Sequence, residues 1–138
     1  MQYRLDWSSL LSRVEEEMSH IADASYAETG QSLYDTIVIT EKDRDGVRRL
    51  LGDAVDSFVS RVFDICTFSQ DTLRFTVPDY DYSMSVPTWR QIEDFIVYYT
   101  VTTLCRSRKA ERAEEFASRA QEALTKAVTL LKSRKHPQ

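Results

Sequence analysis

The side chains able to do chemistry are few and scattered. Acidic pairs stand at Asp43/Asp45, Asp53/Asp56 and Asp79/Asp81, and Glu15, Glu16 and Glu17 run consecutively. Asp79-x-Asp81 resembles half of a calcium loop, but the glycine and closing glutamate of an EF-hand are missing. A solvated loop is the expected reading there, and a solvated helix face at Glu15–Glu17. The only histidines are His20 and His136, with no His-x-x-x-His spacing and no Cys/His cluster to hold a transition metal. His20 reads as a helix-surface residue. Three glycines build neither a Gly-x-x-x-x-Gly-Lys phosphate loop nor a Gly-x-Gly-x-x-Gly turn, and the nucleophile elbow Gly-x-Ser-x-Gly is absent. The expectation is therefore no catalytic residue, no cofactor and no metal, hence no enzyme. An unfamiliar site of Asp, Glu, Tyr and Arg is the enzymatic alternative.

Two groups remain that suit contact chemistry. Tyr80, Tyr82 and Trp89 cluster around an exposed-looking loop and a helix start. They read either as core packing of Trp89 with flanking tyrosines, or as a protein-contact surface, where Tyr and Trp are favoured anchors. The second group is basic. Arg106, Arg108, Lys109 and Arg112 form one cluster, and Lys132, Arg134, Lys135 and His136 form another. Cations at helix C-terminal ends complement the helix dipole, which is the plainer reading. Contact with an acidic protein surface or with DNA phosphates is the alternative.

These residues sit in a chain of 138 residues with 18 Lys+Arg and 22 Asp+Glu, a net charge of −4. Residues 1–105 carry 9 basic and 18 acidic side chains, a net of −9, and residues 106–138 carry 9 and 4, a net of +5. Three Gly and three Pro exclude a collagen-like, linker-rich or turn-dense all-β chain, and 42% hydrophobic residues exclude wholesale disorder. The length predicts a single helical domain over 1–138. The opening Met1-Gln2-Tyr3-Arg4 leads into a mixed amphipathic segment, so no secretory signal is expected. The longest uncharged run, Phe95–Cys105, has eleven residues, too few for a membrane helix. Cys66 and Cys105 fit no zinc or redox spacing. They read as buried small hydrophobes in a reducing compartment, with a core disulfide as the alternative.

Periodicity supplies the elements that must position these groups. Trp7, Leu10, Leu11, Val14, Met18 and Ile21 predict a first helix from Asp6 or Ser8 that stops by Gly30. Residues 31–40 fit a short strand or a single helical turn equally well. Thr40 and Asp43 predict a capping box for a second helix, whose stripe runs from Val47 through Phe58, Val62 and Phe63 to Cys66. Leu73, Phe75 and Val77 alternate with Thr72, Arg74 and Thr76, so a half-exposed strand ends at Pro78. A third helix follows Pro87 and is apolar nearly all round, which predicts a central, enclosed position. Phase is lost at Arg106–Lys109, predicting an antiparallel hairpin with an Ala-rich fourth helix (Phe116, Ala117, Ala120, Leu124, Ala127, Val128, Leu131). One continuous helix over 88–135 is the alternative. The fold class expected is mainly α: a four-helix bundle with a small extended or β excursion between helices two and three. The two basic clusters then lie at opposite ends of the hairpin.

This order resembles a known family. A long amphipathic helix (45–66) is followed by Leu73-Arg74-Phe75-Thr76-Val77-Pro78, an aromatic helix from Trp89 to Cys105, and a basic turn. Next comes an Ala-rich helix with Glu111-Arg112-Ala113-Glu114-Glu115-Phe116, ending in Leu130-Leu131-Lys132-Ser133-Arg134-Lys135-His136-Pro137. Residues 41–137 are similar to the small head–tail connector, or head-completion, proteins of tailed phages and prophages, while residues 1–40 depart from the family by their length. The resemblance implies a non-enzymatic virion protein, in the cytoplasm during assembly, that forms a homo-oligomeric ring under the portal. It implies portal and tail or adaptor proteins as partners, and DNA passing through the channel without sequence-specific binding. No membrane partner and no catalytic residues come with it. The candidate protein-contact residues, read from the aromatic and basic groups above, are Tyr80, Tyr82, Trp89, Arg106, Arg108, Lys109, Lys132, Arg134 and Lys135. A helical nucleic-acid-binding or regulatory module using the basic last quarter is the alternative function.

Overall fold

The computed structural model of the chain describes residues 1–29 and 34–134. It is mainly helical with a small antiparallel sheet. In order the elements are β1 (Gln2–Arg4), α1 (Trp7–Thr29), the single turn α2 (Tyr34–Ile37), α3 (Arg44–Arg61), β2 (Cys66–Ser69), β3 (Thr72–Phe75), α4 (Ser85–Arg108) and α5 (Ala113–Leu131). Short 3-10 turns precede α3, α4 and α5 at Glu41–Asp43, Tyr82–Met84 and Ala110–Arg112.

Helix α1 starts where Asp6 accepts the Ser9 N–H at 3.1 Å, filling one of the donors a helix start leaves open. Its spaced Leu10, Val14, Met18 and Ile21 are buried. The ambiguous stretch resolves as the single helical turn α2, with Ile37 wholly buried; Gly30, the expected stop of α1, lies outside the described residues. Asp43 accepts the Thr40 N–H at 2.9 Å and the Thr40 hydroxyl at 3.0 Å, and this contact opens the 3-10 turn that leads into α3.

The expected end of the second helix needs correction. Helix α3 stops at Arg61, not Cys66. Val62 is buried at the cap, Phe63 is 78% exposed, and Cys66 opens β2. A step of four from Val62 to Cys66 mimicked helical spacing because one residue per turn cannot distinguish a helix from the first inward residue of a strand.

The extended excursion also proves larger than expected. Strands β2 and β3 form a hairpin with Ser69 opposite Thr72, and β1 adds antiparallel on the other side of β3 with Tyr3 opposite Leu73. The sheet order is β1-β3-β2, so the chain's first residues complete it. Gln70 and Asp71 make the two-residue turn with φ of 51° and 58°, the doubly left-handed geometry that matches strand twist. The Leu5 N–H donates to the Asp71 carbonyl at 2.8 Å and ties α1's lead-in to that turn.

Helix α4 is the centre. It touches α1, α2, α3 and α5, and buries Ile92, Phe95, Ile96, Val97, Val101, Leu104 and Cys105 around its circumference. Thr100 and Thr102 are buried because each hydroxyl donates to the carbonyl one turn back, at 2.8 and 2.7 Å. Lys109 breaks the helix (φ −157°, ψ 71°), and α5 returns along α4, so no single continuous helix forms. Its buried face is Ala113, Phe116, Ala120, Ala123, Leu124, Ala127 and Leu131. Small side chains there let the two helices lie close.

Candidate functional site

The sheet brings Tyr3, and the α4–α5 hairpin brings Ser133 and Arg134, to the start of α4, where the aromatic group lies. Asp79, at φ 57°, turns the backbone away from the sheet. Tyr80 then pairs as an isolated bridge with Arg134, and the Asp81 N–H donates to the Ser133 carbonyl at 3.2 Å. Asp81 accepts the Ser83 N–H and hydroxyl at 3.0 and 2.6 Å, which fixes the turn Tyr82–Met84.

The three aromatics occupy different environments. Tyr80 is only 3% exposed. The Thr88 hydroxyl donates to the Met84 carbonyl at 2.6 Å, so the Tyr80 phenol donates to the Thr88 oxygen at 2.7 Å. Trp89 is half-buried and stacks on Tyr3, centroids 4.7 Å apart and planes 6° off parallel. The Tyr3 hydroxyl donates to the Ser85 carbonyl at 2.7 Å. Burial, with Tyr80 close by, pushes the Tyr3 phenol up to about 12. Tyr82 alone faces solvent, 69% exposed, with its ring edge against Tyr80 at 5.6 Å. Val86, one turn on, is 64% exposed. A recess of about 330 Å³ between Met1, Val77, Pro78 and the two tyrosines adjoins them.

The basic residues divide along the hairpin. Lys132 and Arg134 are exposed at the aromatic end, and Lys135 lies outside the described residues. The other cluster stands at the far end of α4, a helix about 36 Å long at 1.5 Å per residue. There Arg108 donates to the Val38 carbonyl at 2.7 Å and the Ile37 carbonyl at 3.4 Å, and pairs with Asp43 at 3.4 Å. It thereby closes the open C-terminal end of α2. Lys109 pairs with Glu111 at 2.6 Å, and Arg112 with Glu115 at 2.8 Å. Arg106 is exposed and makes no ion pair among the described residues.

Arg106 lines a cleft of about 240 Å³ between α4, α5 and the end of α3, together with Arg61, Phe95, Tyr99 and Ala120. Arg61 escaped the sequence reading because nothing local marks it; only the packing of α3 on α4 brings the two arginines to one recess.

The remaining titratable groups are dispersed. No group of three or more His, Cys, Asp or Glu that could hold a metal occurs among the described residues. His20 is exposed on α1, and Asp81 is occupied by its own turn. Cys66 and Cys105 are buried free thiols, and burial pushes both up to about 11. Such thiols are poor nucleophiles. Burial also raises the Glu93 carboxyl, with Arg13 opposing the shift. Comparison of the chain with family models, with curated proteins and with solved structures returns no match.

Proposed function

We propose that this protein is a non-enzymatic structural component of a tailed phage or prophage, a head–tail connector. In this reading the long helices α1, α3 and α5 bundle about α4, copies form a ring under the portal, and the tail docks on that ring. The protein resides in the virion and is cytoplasmic during assembly. The observation that carries the reading is the exposure of Tyr82 and Val86, 69% and 64%, side by side where the turn Tyr82–Met84 enters α4, next to the Asp81–Ser133 backbone bond. An exposed tyrosine next to an exposed aliphatic side chain suits a contact surface, where tyrosine is a favoured anchor. Arg134 beside them adds a charged anchor suited to an interface rim. The order of elements over 41–137 resembles connectors and names the kind of assembly. The acidic body, net −9 over residues 1–105, suits a channel that passes DNA without gripping it.

The test is association. Native mass spectrometry of the chain, alone and mixed with the portal protein of its own genome, is expected to show a closed ring or a portal complex. A species that stays monomeric and ignores the portal contradicts the reading. A nucleic-acid-binding or regulatory module is the second reading, favoured by exposed Arg106, Lys132 and Arg134. Engagement of Arg108 and Lys109 within the fold weakens it. Mobility shifts of duplex DNA that fall steeply with salt would support that module instead.

A further inference from the structure

The cleft along the C-terminal half of α4 brings two arginines from different helices together. Arg61 closes α3 and Arg106 lies in the last turn of α4, and both line the same recess. Neither makes an ion pair among the described residues, and no carboxylate lines the cleft. Along the rest of the α4–α5 hairpin, Arg108, Lys109, Arg112, Arg119 and Lys126 each hold a carboxylate within 4.0 Å, whereas exposed Arg90 makes no ion pair among the described residues. Between the two guanidinium groups the lining is mixed, with Thr102, Thr103 and Gln121 beside Phe95, Tyr99, Ala117 and Ala120. Phe95 is 3% exposed and tilts against Tyr99 at 5.5 Å, while Ala117 and Ala120 form the α5 side.

We propose that this cleft docks an acidic segment of a partner protein, with Arg61 and Arg106 holding its carboxylates and an apolar neighbour seated against Phe95, Tyr99, Ala117 and Ala120. The charge complementarity is specific. A guanidinium offers paired N–H donors that match a carboxylate, and two of them flanking a lining part apolar and part hydroxyl or amide match an acidic residue beside a small apolar one. A nucleic-acid backbone fits less well. It takes its affinity from many cations along a track of phosphates. Here two cations face one recess of about 240 Å³ in a chain of net charge −4. The cleft's α4 lining, from Phe95 to Arg106, lies about 14 to 30 Å along the helix from Val86, by the helical rise. It is thus a surface separate from the Tyr82 turn, and the inference stands whether or not the virion reading holds.

A random peptide library selected on the immobilised full chain tests this directly. The expected outcome is enrichment of peptides pairing Asp or Glu with an apolar residue. Their affinity should fall at least about tenfold in the Arg61→Gln/Arg106→Gln double variant. Both side chains are exposed, so that variant should keep the melting temperature of the parent. No acidic enrichment overturns the proposal, as does enrichment that persists undiminished in the double variant. Capture of an oligo-dT strand that depends on the same two arginines reassigns the cleft to nucleic acid. A self-association lost in the double variant reassigns it to a second copy of the chain.

Discussion

Arg106 and Arg108 lie two residues apart on one helix, and so point to opposite sides of it. Arg108 turns inward over the end of α2, bonding two carbonyls and Asp43, with a side chain 21% exposed. Replacing it by Met should cost about 2 kcal/mol, the usual loss when charge-assisted hydrogen bonds go unmade. Arg106→Gln should leave thermal stability unchanged, and denaturation melts of both variants check the contrast. Asp43 adds a pH dependence. Its bonds from Thr40, and Arg108 nearby, lower its carboxyl below the ordinary range. A carboxyl whose pKa falls on folding stabilises the fold above its unfolded value and withdraws that support as the pH drops. Asp43→Asn should therefore destabilise the protein at pH 7. Its deficit should begin to shrink as the pH falls below about 4, the ordinary carboxyl value, and vanish only below the lowered pKa of the folded carboxyl. Melting curves across that range would expose an error here, since a deficit constant with pH would mean a packing effect instead.

At the scale of elements, local chemistry leaves room for improvement in two places. Gly52 stands inside α3, and an added Cβ would meet only the Arg48 guanidinium, at 3.9 Å. Gly52→Ala should stabilise by about 1 kcal/mol through helix propensity. In the β2–β3 turn, Asp71 adopts φ 58°, a geometry that glycine takes without cost. Asp71→Gly should stabilise by up to about 1 kcal/mol, and calorimetry of the two single variants measures both. Legibility tracked element length. The long stripes of α1, α3, α4 and α5 could be read because many positions repeat one spacing. The strand β1 could not, since Gln2–Arg4 spans too few residues for any period and is held by backbone pairing to β3. The same holds for β2, whose Cys66 continued the α3 spacing by coincidence.

For the whole molecule, the opposite placement of the basic clusters was readable once the hairpin was inferred. Which cations remain available was not readable, because ion pairing depends on neighbours brought in by the fold. Tyr80 shows the same limit. It sits in a polar stretch, yet the returning C-terminal residues Ser133 and Arg134 close over its backbone and Thr88 takes its phenol. Around this turn, Tyr82 and Val86 are the large side chains left exposed to a partner. A Tyr82→Ser/Val86→Ser variant should keep its melting temperature, because neither side chain is buried, while losing assembly. The central claim is that this surface joins the chain into a virion connector. Native mass spectrometry of wild type and that double variant, each with the portal protein of the same genome, tests it most directly. The account predicts a ring or portal complex for wild type and a monomer for the variant. A wild-type chain that stays monomeric and unbound, or a variant that assembles as well as wild type, contradicts it.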